Sequence, residues 1–169
     1  MEFDENKNND KEYVLEKVKE KGSLLDLVSE ELKDDKEVVM EAIKADGNAL
    51  EFASGRLKDD KEVVLASVQK VGWTVCYASE RLKDDKQVIL EGVKIDGQEL
   101  YFASERLRDD DEVVYEAVKN KGLILKYASK RLRAEKEIVG AAIQSDKRAK
   151  SYVSDSNLLD DDDIKKILE

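Results

Sequence analysis

Residues 57–81 read LKDDKEVVLASVQKVGWTVCYASER, and residues 82–106 read LKDDKQVILEGVKIDGQELYFASER. Superposed, they agree in the leading LKDDK, in the apolar run behind it, in a central glycine and in a closing A-S-E-R. The same frame covers 32–56 (LKDDKEVVMEAIKADGNALEFASGR) and 107–131 (LRDDDEVVYEAVKNKGLILKYASKR), a period of 25 without insertions. Two degenerate units flank these four: 7–31 lacks the leading leucine, and 132–156 has Lys147 where the others have glycine. A fixed period of this length marks stacked units, none of which buries its apolar face alone, and atypical end units are what a stack needs where it meets water. Residues 157–169, containing LLDDDDIKKIL, read as one further first helix, shifted by a residue, that closes the stack. Residues 1–6 are expected to be disordered.

Inside each unit the signals are helical. Asp34-x-x-Glu37, Asp59-x-x-Glu62, Asp84-x-x-Gln87 and Asp109-x-x-Glu112 have the form of a capping box with its aspartate at N-cap. Apolar positions follow at i, i+1, i+4 and i+5, as in Val38, Val39, Ala42 and Ile43, which is one helix face. Gly22, Gly47, Gly72, Gly97 and Gly122 then fall where a left-handed residue would end the helix. Asp46-Gly47 and Asp96-Gly97 alone would suggest hairpin turns, but helical spacing on both sides outweighs that. Leu50, Ala53, Ser54 and Leu57 mark a second helix of about two turns. Helices this short are marginal alone, so stacking must supply their stability. The fold class is therefore all-α: an α-solenoid of six 25-residue helical hairpins with a closing C-terminal helix, one domain over 7–169.

The recurring string D-D-K-E-V-V-L…V…G…L-x-Y-A-S-x-R-L-R/K-D-D resembles the domain-of-unknown-function family forty-one-sixteen, over about residues 8–156. Residues 10–31 and 132–156 depart most from the pattern. The resemblance implies tandem helical repeats and brings no activity or catalytic residue.

Composition narrows the function. The formal net charge is −10 and the pI about 4.8, which argues against nucleic acid and anionic membranes as partners, since phosphate binding needs clustered Lys and Arg. A basic protein surface suits this charge better. There is no proline and no histidine, and one cysteine, so neither a disulfide framework nor a common zinc site is expected. The start has no basic and apolar leader and no stretch nears 18 apolar residues, so a cytoplasmic protein is expected; a monomer is expected as well.

Repeats supply their own control: positions that stay uniform pack or cap, and positions that vary can carry function. The aromatics Phe52, Tyr77, Phe102, Tyr127 and Tyr152 read as packing wedges. Arg56, Arg81, Arg106 and Arg131 read as braces over the preceding ring or onto the aspartate pair at the next helix start. The recurrent serines from Ser29 to Ser154 read as small buried residues bonded to a carbonyl one turn back, since six equivalent nucleophiles without a histidine make poor chemistry. The runs Asp109-Asp110-Asp111 and Asp160 to Asp163 lack the D-x-D-x-D-G layout of a calcium loop. No metal, cofactor or catalytic site is expected.

The varied positions are the residue after each glycine and those three and seven further on: Asn48, Glu51, Gly55; Trp73, Cys76, Glu80; Gln98, Tyr101, Glu105; Leu123, Lys126, Lys130. An aromatic and polar mixture of this kind suits protein contact. The partner-binding candidates are thus Asn48, Glu51, Trp73, Cys76, Gln98, Tyr101, Leu123 and Lys126. The outer face of the first helices, with Leu65, Leu90 and Tyr115, is a second candidate surface. The expected function is a non-enzymatic scaffold that binds another protein; the alternative is a small acidic inhibitor or immunity-type protein that blocks a basic partner.

Overall fold

The computed structural model describes residues 3–169. Among these residues every regular element is helical, α or 3-10, and the fold is an α-solenoid of repeats. The sequence predicts one domain over 7–169; the contacts group into two compact units, Met1–Leu82 and Lys83–Glu169. Both are built from the same repeat.

Each repeat opens with a ten-residue α-helix: Lys11–Glu20, Lys36–Ala45 and Lys61–Lys70 in the first unit, Lys86–Ile95, Asp111–Asn120 and Lys136–Ser145 in the second. The apolar face read from the sequence is the buried one. Val38, Val39 and Ala42 are fully buried, as are Val63, Val64 and Val68 and, in the second unit, Val113, Val114, Ala117 and Val118. Burying a valine or leucine contributes roughly 1.5–3 kcal/mol, enough in sum to hold helices too short to stand alone.

The second helix is not two turns of α-helix. It is a six-residue 3-10 segment, Gly47–Phe52 in one repeat and Gly97–Phe102 in another, followed by an extended residue and a further short helical turn such as Leu57–Asp59 or Glu30–Lys33. The cause is a backbone bond that takes the chain out of the helix. Ser54 N–H donates to the Lys33 carbonyl at 3.0 Å, and the same bond recurs from Ser29 to Asn8, Ser79 to Lys58, Ser104 to Lys83, Ser129 to Arg108 and Ser154 to Arg133. Each repeat is therefore three helical pieces, with Leu50, Leu57, Leu100 and Leu107 among the buried side chains behind them.

The glycines do not adopt a left-handed conformation; no described residue has positive φ. They allow close approach instead. A Cβ on Gly22 would lie 2.3 Å from the Ala42 carbonyl oxygen, and one on Gly97 or Gly122 would lie 2.2 Å from that of Ala117 or Ala142. At these three positions only glycine, with no Cβ, lets the 3-10 segment start against the next helix.

The helix starts also differ from the predicted capping box by one residue. The N-cap is the second aspartate of each pair: Asp35 accepts from the N–H groups of Glu37 and Val38, and Asp60 and Asp85 do the same for their helices. Asp110 accepts from Val113 N–H. The first aspartate serves the serine and arginine at the end of its own repeat. Ser54 Oγ donates to the Asp34 carboxylate, and Arg56 grips the same group through Nε at 2.9 Å and its backbone carbonyl through Nη2 at 2.5 Å. Asp59 with Ser79 and Arg81, Asp84 with Ser104 and Arg106, and Asp109 with Ser129 and Arg131 repeat the arrangement. The arginine brace thus runs back to its own helix start rather than forward to the next, and the serine meets a carboxylate rather than a carbonyl one turn back. Ser54 Oγ also accepts from Leu57 N–H at 3.2 Å, capping the short turn.

A third set of contacts joins consecutive helices. The lysine that opens one helix reaches two carboxylates at the start of the next: Lys36 meets Asp60 and Glu62, both at 2.8 Å, and Lys86 meets Asp110 and Glu112, both at 2.9 Å. The closing helix is Asp162–Leu168, capped by Asp161 and anchored by buried Ile164. Its cap falls 26 residues after Glu135, which is the one-residue shift read from the sequence.

Of the N-terminal residues expected to be disordered, Met1 and Glu2 lie outside the described residues. Phe3 packs on Tyr13 with ring centroids 5.6 Å apart, and Asp4 N–H donates to Tyr13 OH at 2.6 Å.

Candidate functional site

In a 3-10 helix residues i and i+3 eclipse, so the residue after each glycine and the one three further on share one side of their segment. The pairs Asn48/Glu51, Trp73/Cys76, Gln98/Tyr101 and Leu123/Lys126 have that spacing within their segments. The third members fall outside them. Gly55, Glu80, Glu105 and Lys130 lie past the extended residue that ends the segment, and Glu80 already belongs to the next turn.

In the first unit Trp73 is 45% exposed, and its ring stands 5.6 Å from that of Tyr77. Glu51 is exposed, and Asn48 and Cys76 are half-buried. Asn48 N–H and Nδ2 both donate to Asp46, the N-cap of the segment, at 3.0 and 2.9 Å. The Tyr77 hydroxyl is pushed up to about 12, first by burial and then by its hydrogen bond to Glu51, so it stays protonated and holds the edge of this face. Ser67 and Thr74 are buried behind it: Ser67 Oγ lies 2.8 Å from both Thr74 Oγ1 and the Gly47 carbonyl. Cys76 is in no disulfide.

In the second unit Tyr101 is 51% exposed. Tyr127 meets it edge-on at 5.0 Å and Phe102 at 5.1 Å. Lys126 Nζ sits over the Tyr127 ring at 4.6 Å, a cation on the negative face of the π-system. Gln98 accepts from Lys121 Nζ at 2.7 Å, and Leu123 is half-buried. Below this cluster Arg108 donates to the Ala103 carbonyl at 2.8 Å. With Glu105, Asp109, Tyr127 and Ser129 it lines a concavity of about 370 Å³. The wedge aromatics Phe52, Tyr77, Phe102, Tyr127 and Tyr152 are half-buried throughout, so each offers an edge while its body packs.

The hydroxyls of Ser54, Ser79, Ser104 and Ser129 donate to carboxylates while accepting a backbone N–H, an arrangement that stabilises turns. The aspartates that look like a free acidic stripe are in use: Ser54 and then Arg56 hold Asp34 below the usual carboxylate range, and Asp59, Asp84 and Asp109 are lowered in the same way. Among the described residues no group of three or more acidic or thiol side chains is placed to hold a metal ion, and no helix is long and apolar enough to cross a membrane.

Sequence reasoning passed over one buried group. Glu99 is 2% exposed, and its Oε2 has no hydrogen-bond partner among the described residues. Burial, with Asp96 adding to it and Lys121 opposing, pushes its carboxyl up to about 8. Comparing the repeats position by position would have exposed it, since positions 49, 74, 124 and 149 hold Ala, Thr, Ile and Ala.

These features define an all-helical tandem-repeat protein whose framework positions brace and cap while the outward positions of its 3-10 segments vary. The chain belongs to the family described as "Domain of unknown function (DUF4116)", whose model matches residues 10–58, 60–108, 85–133 and 110–159. No curated protein and no solved structure matches it.

Proposed function

We propose that this chain is a non-enzymatic scaffold that binds another protein through the outward side of its 3-10 segments. The observation that carries the reading is the exposure of Tyr101, half in solvent beside Tyr127 and Lys126, on a framework otherwise uniform from repeat to repeat. Rigid aromatics with two side-chain torsions lose little entropy on contact and anchor interfaces well. Trp73 plays the corresponding part in the first unit. The surrounding Glu51, Gln98 and Lys126 supply a polar rim.

The test is a titration of the full chain against a partner first identified by affinity capture from the source cell. Tyr101→Ala and Trp73→Ala are each expected to weaken binding by about 1–2 kcal/mol, roughly ten- to thirtyfold. If both variants bound as tightly as the parent chain, the contact would lie on another face and this assignment would be wrong.

A further inference from the structure

Four times among the described residues, the lysine at the first position of one helix is clamped by two carboxylates at the start of the next. Lys11 meets Asp35 and Glu37 at 2.7 and 2.8 Å, Lys36 and Lys86 have the pairs given above, and Lys136 meets Asp161 and Asp163 at 2.9 and 2.8 Å. The Lys61 step has Gln87 in place of the second carboxylate, and at one further step the cation itself is lost. The lysine position holds Asp111, and the carboxylates it would serve are Glu135 and Glu137. Asp111 turns to Arg131 instead, at 3.1 Å, and the neighbouring Lys136 is committed to the closing helix. Glu135 stands at the N-cap yet makes no side-chain capping bond, so its carboxylate is not spent on the backbone. The clamp is present there and its ammonium is not.

The break coincides with a second one. The outward position of each first helix carries Leu15, Met40, Leu65, Leu90 and Tyr115, and then Gly140. A Cβ on Gly140 would meet nothing nearer than Ile164 Cδ1 at 3.5 Å, so the missing side chain leaves room. Two adjoining concavities share Tyr115, Glu135 and Glu137. One, of about 280 Å³, is closed by Asp111 and Ile138; the other, of about 460 Å³, runs past Gly140 to Ile164 and Ile167. Tyr115, Ile138, Ile164 and Ile167 supply its apolar lining, and its charged lining is acidic apart from Lys136, which Asp161 and Asp163 hold.

We infer that this groove docks a lysine-bearing segment of a partner protein. The ammonium sits between Glu135 and Glu137, as Lys36 sits between Asp60 and Glu62. Its methylene stem lies along Tyr115, since lysine buries its stem while its head stays with charge, and an apolar neighbour fills the notch at Gly140. The four intact clamps identify the ligand chemistry as an ammonium, and the acidic lining supplies charge complementarity to a basic segment. This surface uses none of the 3-10 positions proposed above, and the two assignments stand or fall separately.

The experiment is an amide NMR titration of the full chain with the blocked pentapeptide Gly-Leu-Lys-Leu-Gly, and with the same peptide carrying ε-acetyl-lysine. Saturable shifts are expected at residues 135–141, weakened at least about tenfold by acetylation, by Asp111→Lys and by Gly140→Leu. Asp111→Lys restores the internal clamp, so it is expected to fold and to unfold at a higher temperature than the parent, which separates a filled site from a damaged one. The inference is overturned by absence of shifts at millimolar peptide, by equal shifts with the acetylated peptide, or by undiminished binding to Asp111→Lys. Self-association at the same amides without peptide would assign the site to a second copy and overturn the partner reading.

Discussion

At the scale of single residues, Glu99 is the group whose environment differs most from that of its counterparts. The repeat that carries it also carries Gly92, with no side chain, where Ser67 meets Thr74 in the preceding repeat, so the longer residue follows the smaller one. A buried carboxyl with a folded pKa of about 8 favours the protonated form in the native state. The folded chain therefore binds more protons than the unfolded one between the ordinary glutamate value and about 8, and stability falls as pH rises through that window. Glu99→Gln removes the penalty: it is expected to raise the unfolding midpoint little near pH 4 and by the equivalent of a few kcal/mol above about pH 8. Parallel thermal melts of the two proteins across that range test the sign. The glycines give a second prediction at this scale. Gly97→Ala would put a methyl group 2.2 Å from the Ala117 carbonyl oxygen and is expected to destabilise by about 1–3 kcal/mol or more. Gly55→Ala, with nothing within 4 Å, is expected to be neutral or stabilising in a denaturant titration.

At the scale of elements, two adjacent aspartates of identical chemistry do different work. Asp60 caps the Lys61–Lys70 helix and receives Lys36, while Asp59 receives Ser79 and Arg81. Asp60→Ala is expected to cost about 1–2 kcal/mol and to strip hydrogen-exchange protection from the amides of Glu62 and Val63. Asp59→Ala is expected to leave those amides protected and to loosen residues 77–82 instead; the reverse pattern would refute the division. This division was not legible in the sequence, because a D-D pair satisfies the capping pattern at either residue and only the position of the serine and arginine decides. Helix identity, period and buried face were legible, since 3.6-residue spacing of Val, Ala and Ile has one reading. The 3-10 segments were not, because a six-residue amphipathic stretch looks the same in either helix, and the bond from Ser54 to Lys33 that stops it is made by backbone. The pairing of candidate residues does not depend on which helix forms, because three-residue spacing shares a face in both geometries.

At the scale of the whole molecule, pH acts on stability from two sides. The carboxylates of Asp34, Asp59, Asp84 and Asp109 are lowered by their serine and arginine partners, so their contribution is present above about pH 3.8 and lost as pH falls through their folded values. Glu99 withdraws stability as pH climbs above the ordinary glutamate value. Denaturant midpoints are therefore expected to peak at about pH 4–5 and decline in both directions; a plateau from pH 5 to 9 would show that Glu99 has found a partner. The arginine braces are well exposed, with side chains about 61% and 44% open for Arg56 and Asp34, so each contributes modestly and less at high salt. The bond from each serine N–H to the carbonyl twenty-one residues earlier has a consequence for inheritance. It needs no particular side chain at either end, so unequal crossing-over between two copies of the coding repeat, adding or deleting twenty-five residues, leaves every such donor an acceptor at the same spacing. Array length can thus change in whole periods while each outward residue mutates independently of the bonds that hold it.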